Sequence, residues 1–122
     1  MLNTLIKLTN NTIRTMENIV GKENVLSDYE ELLTYSTDST NITNPNEIAE
    51  VVVFVENVQQ VSKIMKYAYS KAKPVIARAA GTNLCGACLP KKGGIIIDFA
   101  KMNKILEISK DNLICKVEPG VV

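Results

Sequence analysis

Between Ala77 and Gly94 the chain carries a run of small and hydrogen-bonding residues, Arg78-Ala79-Ala80-Gly81-Thr82-Asn83-Leu84-Cys85-Gly86. Gly81 and Gly86 let a backbone take positive φ and approach another group closely. Successive N–H groups in such a turn form a concave nest for anions. Thr82 and Asn83 add side-chain donors, and Arg78 would either meet a phosphate or brace the loop. These residue types suit a diphosphate. They would equally serve a connecting loop with two structural glycines. Gly81 and Gly86 have the spacing of a Walker loop, but Ala87 stands at the lysine position, and the G-x-G-x-x-G register is absent.

Cys85-x-x-Cys88 has the spacing of a half zinc site. Zinc needs four ligands, and the chain offers no histidine and only Cys115 besides. No metal site is expected, and Cys85 reads as a small residue of the loop. The lack of histidine also removes the commonest general base and every Ser-His-Asp or Cys-His arrangement. No catalytic residue is assigned. Chemistry here would come from a cofactor, or from residues the chain does not contain.

The elements that must position this loop are legible on both sides of it. Val51-Val52-Val53-Phe54-Val55 reads as a buried strand. Asn57 sits as an N-cap before an amphipathic helix with Val58, Val61, Ile64, Met65, Ala68, Tyr69 and Ala72 on one face. Tyr67 and Tyr69 read as packing residues. After Pro74, Val75-Ile76-Ala77 is a second strand, so the segment forms a βαβ unit with two parallel strands, expected to be right-handed. The loop therefore leaves the carboxyl end of a parallel strand, where ligands bind in open α/β sheets.

Downstream, Lys91-Lys92-Gly93-Gly94 reads as a solvated turn and Ile95-Ile96-Ile97-Asp98-Phe99 as another buried strand. Asp98 would cap the following turn or bind a ribose. Ile105–Ile108 and Leu113–Val117 flank a Ser109–Asn112 turn and form a hairpin, with Cys115 on its core face. Upstream, Leu2, Leu5, Ile6, Ile13, Met16, Ile19 and Val20 keep a helical period, interrupted at Asn10-Asn11-Thr12 and stopped at Gly21. Ser27-x-x-Glu30 has capping-box spacing for a short second helix. Thr34–Asn46 reads as a polar loop or linker.

At 122 residues the chain suits one domain. Its net charge of +1, with no basic stripe and no Trp, argues against a nucleic-acid surface. No stretch has signal-peptide or membrane-spanning length, and three cysteines suit reduced thiols, so a cytoplasmic location is expected. Glu118-Pro119-Gly120-Val121-Val122 follows a strand with no polar tail, which reads as a chain cut in mid-domain.

From Ser36 onward the chain resembles the FAD-linked oxidases of the vanillyl-alcohol oxidase/PCMH superfamily, and within it the group of glycolate oxidases and D-lactate dehydrogenases. The resemblance is carried by Tyr35-Ser36-Thr37-Asp38, Val52-Val53-Phe54 with Val58-x-x-Val61, and Pro74-Val75. It continues through Arg78 to Gly86, Gly94-Ile95-Ile96-Ile97-Asp98, Met102 to Ile108, and Val117-Glu118-Pro119-Gly120-Val121. Many relatives read Arg-Gly-x-Gly-Thr, whereas Ala79 stands here, and Ala87 replaces a second common glycine.

The resemblance implies an α/β (α+β) fold. A helical N-terminal arm and linker (1–46) would precede the N-terminal part of a PCMH-type FAD-binding domain (47–122), built as a βαβ unit plus a strand and a β-hairpin. It implies that Arg78, Ala79, Ala80, Gly81, Thr82, Asn83, Cys85 and Gly86 wrap the FAD diphosphate, with Pro119 and Gly120 nearby. It further implies oxidation of an (R)-2-hydroxy acid such as glycolate or D-lactate, by hydride transfer to the flavin. The substrate residues would lie in a separate domain that this chain lacks, and the isolated chain would be inactive. Two other readings stay open. One is a non-catalytic remnant that self-associates through exposed strand edges; the other is a different oxidoreductase of the superfamily.

Overall fold

The structure, a computed structural model, describes residues 2–40 and 47–122, with side chains from Asn10 onward. In chain order it contains α1 (Leu2–Val20), a 3-10 turn (Lys22–Asn24), β1 (Val25–Leu26), α2 (Tyr29–Thr34), β2 (Val51–Phe54) and α3 (Val58–Ser70). There follow β3 (Val75–Arg78), β4 (Ile95–Asp98), β5 (Ile105–Ser109) and β6 (Ile114–Val117). The expected linker residues 41–46 lie outside the described residues.

One sheet has the order β1-β2-β4-β3, and β5 and β6 form a separate antiparallel pair. The expected βαβ unit is present, since β2 and β3 each run parallel to β4. They are not neighbours, however, because β4 inserts between them. Ile95, Ile96 and Ile97 of this inserted strand are almost wholly buried, as are Val51, Val52 and Val53 of β2, as expected of parallel strands covered on both faces.

Alternation splits the core into two layers. Val51, Val53, Val55, Ile95 and Ile97 face one side, where Met16 and Val20 of α1 and Ile64 and Ala68 of α3 cover them. Val52 and Ile96 face the other side, with Leu32 of α2 and Ala49. Each such side chain stabilises the fold by roughly 1.5–3 kcal/mol relative to exposure.

Several local expectations are corrected. The Asn10-Asn11-Thr12 stretch does not interrupt α1. Asn10 and Asn11 face solvent, while Thr12 is fully buried and accepts a hydrogen bond from the Tyr67 hydroxyl at 3.1 Å. The second helix starts at Tyr29 with Asp28 as N-cap and no side-chain cap bond, so Glu30 falls one position short of closing a capping box. α3 ends at Ser70, before Ala72, which takes a left-handed φ of 49°. Tyr69 does not pack: it is 91% exposed, whereas Tyr67 packs on the core. Cys115 is exposed rather than core, because no layer covers the β5–β6 pair among the described residues.

Other expectations hold. Gly21 stops α1 with φ +90°, and the Asn57 side chain caps α3 by accepting the Gln60 N–H at 3.0 Å. Lys91 and Lys92 are exposed in their turn. Among the described residues, no helix is long and apolar enough to cross a membrane.

Candidate functional site

β3 ends at Arg78, and the chain must then return to the opposite end of the sheet to begin the parallel strand β4. The ladder between them closes with the Phe99 N–H donating to the Arg78 carbonyl at 2.9 Å. Beyond that bond, no backbone hydrogen bond among the described residues takes a donor from Ala79 through Leu84. Gly81 and Gly86 have φ of +67° and +69°, the left-handed region the loop was expected to need. Ala79 and Ala87 do not take positive φ, so their methyl groups carry no backbone strain at the two positions where the resemblance leads one to expect glycine.

An open cavity of about 280 Å³ lies against this loop, lined by Ala77 through Asn83 with Ala87 and Cys88. Enclosed sites for drug-sized ligands measure roughly 300–1,000 Å³, so this cavity takes part of an extended ligand. Its lining contains one cation, Arg78, and no acidic side chain. N–H groups that bond no backbone carbonyl among the described residues, one guanidinium and the Thr82 hydroxyl form a donor set matched to a diphosphate.

Arg78 serves first as a brace. Its Nη1 donates to the Thr37 carbonyl at 2.9 Å and the Tyr35 carbonyl at 3.4 Å, and the guanidinium lies 5.1 Å from the Tyr35 ring centroid. A Cβ on Gly81 would meet Arg78 Nη2 at 2.5 Å, so glycine there leaves room for the bracing side chain. The Tyr35 hydroxyl donates to Asp98 Oδ2 at 3.2 Å, and Asp98 Oδ1 accepts the Ala100 N–H at 2.8 Å. Asp98 therefore holds the turn after β4. Burial, and then the Asp98 carboxylate beside it, push the Tyr35 phenol up to about 12.

Asn83 is held at both ends of its amide. Its Nδ2 donates to Asp38 Oδ2 at 3.0 Å, and its Oδ1 accepts from the Cys88 thiol at 2.9 Å. Burial raises the Cys88 pKa, which keeps the sulfur a neutral donor. Asp38 also accepts from the Thr40 hydroxyl, which is the main cause of its lowered pKa, and from the Thr40 N–H at 2.8 Å.

Of the sequence-derived site residues, Arg78, Ala79, Ala80, Gly81, Thr82 and Asn83 line the cavity; Cys85 and Gly86 do not. Pro119 and Gly120 stand apart from it. Gly120 donates to the Met102 carbonyl at 2.8 Å and lies so close to the Phe99 backbone that a Cβ would overlap its carbonyl. Gly120 is tied to the root of the loop through Phe99, whose N–H donates to the Arg78 carbonyl. Sequence reading passed over Cys88 and Asp38 as parts of the site. The Asp-x-Thr spacing of Asp38 and Thr40, typical of a side-chain turn, was the available signal.

The family model for an FAD binding domain matches residues 49–122. The chain belongs to this family of FAD-binding domains. Glycolate oxidase subunit GlcD of Bacillus subtilis (strain 168) is 35% identical over 104 residues, which cover 85% of this chain and 22% of that protein. The mitochondrial D-lactate dehydrogenase (cytochrome) of Arabidopsis thaliana is 28% identical over 82% of this chain and 18% of its own length. A crystal structure of p-cresol methylhydroxylase with substrate bound superposes with a TM-score of 0.80 at 27% identity, covering 92% of this chain and 22% of that one. The chain thus spans about a fifth of the length of the curated relatives it matches. Its cofactor is FAD, and its architecture is that of a PCMH-type FAD-binding domain.

Proposed function

We propose that the Arg78–Gly86 loop seats the FAD diphosphate, in a flavin-dependent oxidoreductase acting on a small (R)-2-hydroxy acid. The carrying observation is the row of N–H groups from Ala79 to Asn83 that bond no backbone carbonyl among the described residues and lie along an open, cation-bearing cavity. Ala79 to Asn83 would hold the diphosphate, Thr82 would add a hydroxyl donor, and Arg78 would fix the loop while contributing positive charge. When bound, the flavin supplies the hydride acceptor. The 35% identity to glycolate oxidase subunit GlcD and the likeness to D-lactate dehydrogenase support the hydroxy-acid reading. In this reading the residues that bind and deprotonate the substrate lie outside these 122 residues.

Titration of the chain with FAD, read by flavin fluorescence or calorimetry, tests the loop. Gly81→Asp forces a Cβ against Arg78 at φ +67° and puts a carboxylate among the phosphate donors. It should abolish FAD binding while leaving the circular dichroism spectrum nearly unchanged. A Gly81→Asp protein that keeps its full flavin content would refute the assignment. Substrate class is tested by flavin bleaching under anaerobic conditions, in the protein that contains this chain. Glycolate or D-lactate should reduce the flavin; reduction by p-cresol alone would favour a phenol oxidoreductase, the reading aligned with the p-cresol methylhydroxylase structure.

Two smaller proposals accompany this one. The three free cysteines suit a reducing compartment, and we place the chain in the cytoplasm; recovery in an exported fraction would count against it. The β5–β6 pair exposes Ile105, Leu106, Ile108, Leu113 and Ile114, so the chain by itself should self-associate through that pair. Sedimentation should show mass rising with concentration, and a monomer at all concentrations would exclude it.

A further inference from the structure

The family match begins at residue 49, yet Tyr35, Thr37 and Asp38 are bonded to the loop. Arg78 grips the Tyr35 and Thr37 carbonyls, and Asp38 grips Asn83.

We propose that Asp38 is a positioning residue for FAD, holding the Arg78–Gly86 loop in its diphosphate-binding shape through Asn83. This rests on reading that loop as the seat of the diphosphate. Asn83 lies in the cavity wall and Asp38 does not, so the carboxylate acts from behind the loop rather than on the ligand. Both of its oxygens are committed to donors: Oδ1 to Thr40 and Oδ2 to Asn83. Its charge therefore meets N–H groups of the protein instead of a phosphate.

The chemistry of asparagine explains why such a hold matters. A free Asn side chain in a loop bonds neighbouring backbone N–H groups and so competes for the donors around it. Here Asp38 takes the amide nitrogen and Cys88 occupies the amide oxygen. Asn83 can then not fold back onto the N–H groups of Ala79 to Leu84, which bond no backbone carbonyl among the described residues.

The experiment compares FAD titrations of the wild-type chain, Asp38→Ala and the isosteric Asp38→Asn, each with a thermal melt and a parallel titration with ADP. Asp38→Asn keeps the volume and one acceptor oxygen, but turns an N–H₂ toward the Asn83 amide nitrogen. Loss of a hydrogen bond to a charged acceptor should raise the FAD dissociation constant about tenfold or more. ADP, which carries the diphosphate without the flavin, should weaken in the same proportion, and the melting temperature should fall by only a few degrees. A merely structural Asp38 would lower the melting temperature and leave both constants of the folded protein unchanged, which overturns the inference. Wild-type protein that takes up no FAD overturns the reading of the loop and this inference with it; binding that is equal in all three proteins overturns the inference alone.

Discussion

Tyr35 shows how one side chain ties the site to the sheet. Its ring lies under the Arg78 guanidinium, its carbonyl accepts from that group, and its hydroxyl donates to Asp98 at the end of β4. Ionisation would place a phenolate against the Asp98 carboxylate in partly buried surroundings. Burial, first, and that carboxylate, second, hold the phenol to about 12. The unfolded chain releases the same proton near pH 10. Between these values the unfolded state binds fewer protons than the folded one, so stability falls as pH rises past about 10 and levels off above about 12. Tyr35→Phe should remove that part of the alkaline loss. Urea midpoints measured between about pH 9 and pH 12 should therefore decline less steeply in the variant.

At the scale of elements, β3 and β4 are locked together at their first residues. The Ile95 N–H donates to the Pro74 carbonyl at 2.9 Å, and Gly94 crosses that carbonyl with φ +91°. A Cβ on Gly94 would overlap the Pro74 carbonyl oxygen. Gly94→Ala should thus destabilise the chain by about 2–4 kcal/mol through strain and a displaced central strand, as read from denaturant unfolding. The strands themselves were legible in the sequence, because strands covered on both faces read as unbroken apolar runs. Their neighbours were not. Nothing in Val51–Val55, Val75–Ala77 or Ile95–Ile97 says which run lies in the middle. β1, two residues long, was too short to leave a pattern. The hairpin was legible from its turn, but the assignment of Cys115 to a core face failed, since alternation marks a face without showing what covers it.

Over the whole molecule, the N-terminal residues are built into the core. Met16 and Val20 of α1 close the layer over Val51, Val53, Ile95 and Ile97, and β1 adds an antiparallel strand beside β2. Deleting residues 1–20 would expose that layer. The shortened chain should lose its cooperative thermal transition, and a sharp melt from it would show the helix to be dispensable. The loop as a ligand seat was legible from the composition of Arg78–Gly86 and from its place after a strand. Its bracing was not, because Asp38 and Asn83 are far apart in sequence and meet only once the sheet has formed.

Residues 79–94 are also the only covalent path from the end of β3 to the start of β4, the strand that must enter between two others already joined by α3. The chain cannot complete its sheet until this path has been laid across it. The connection to the central strand and the candidate cofactor seat are consequently one and the same segment. An insertion or deletion in the loop would therefore bear on the seating of the central strand as well as on the candidate cofactor seat.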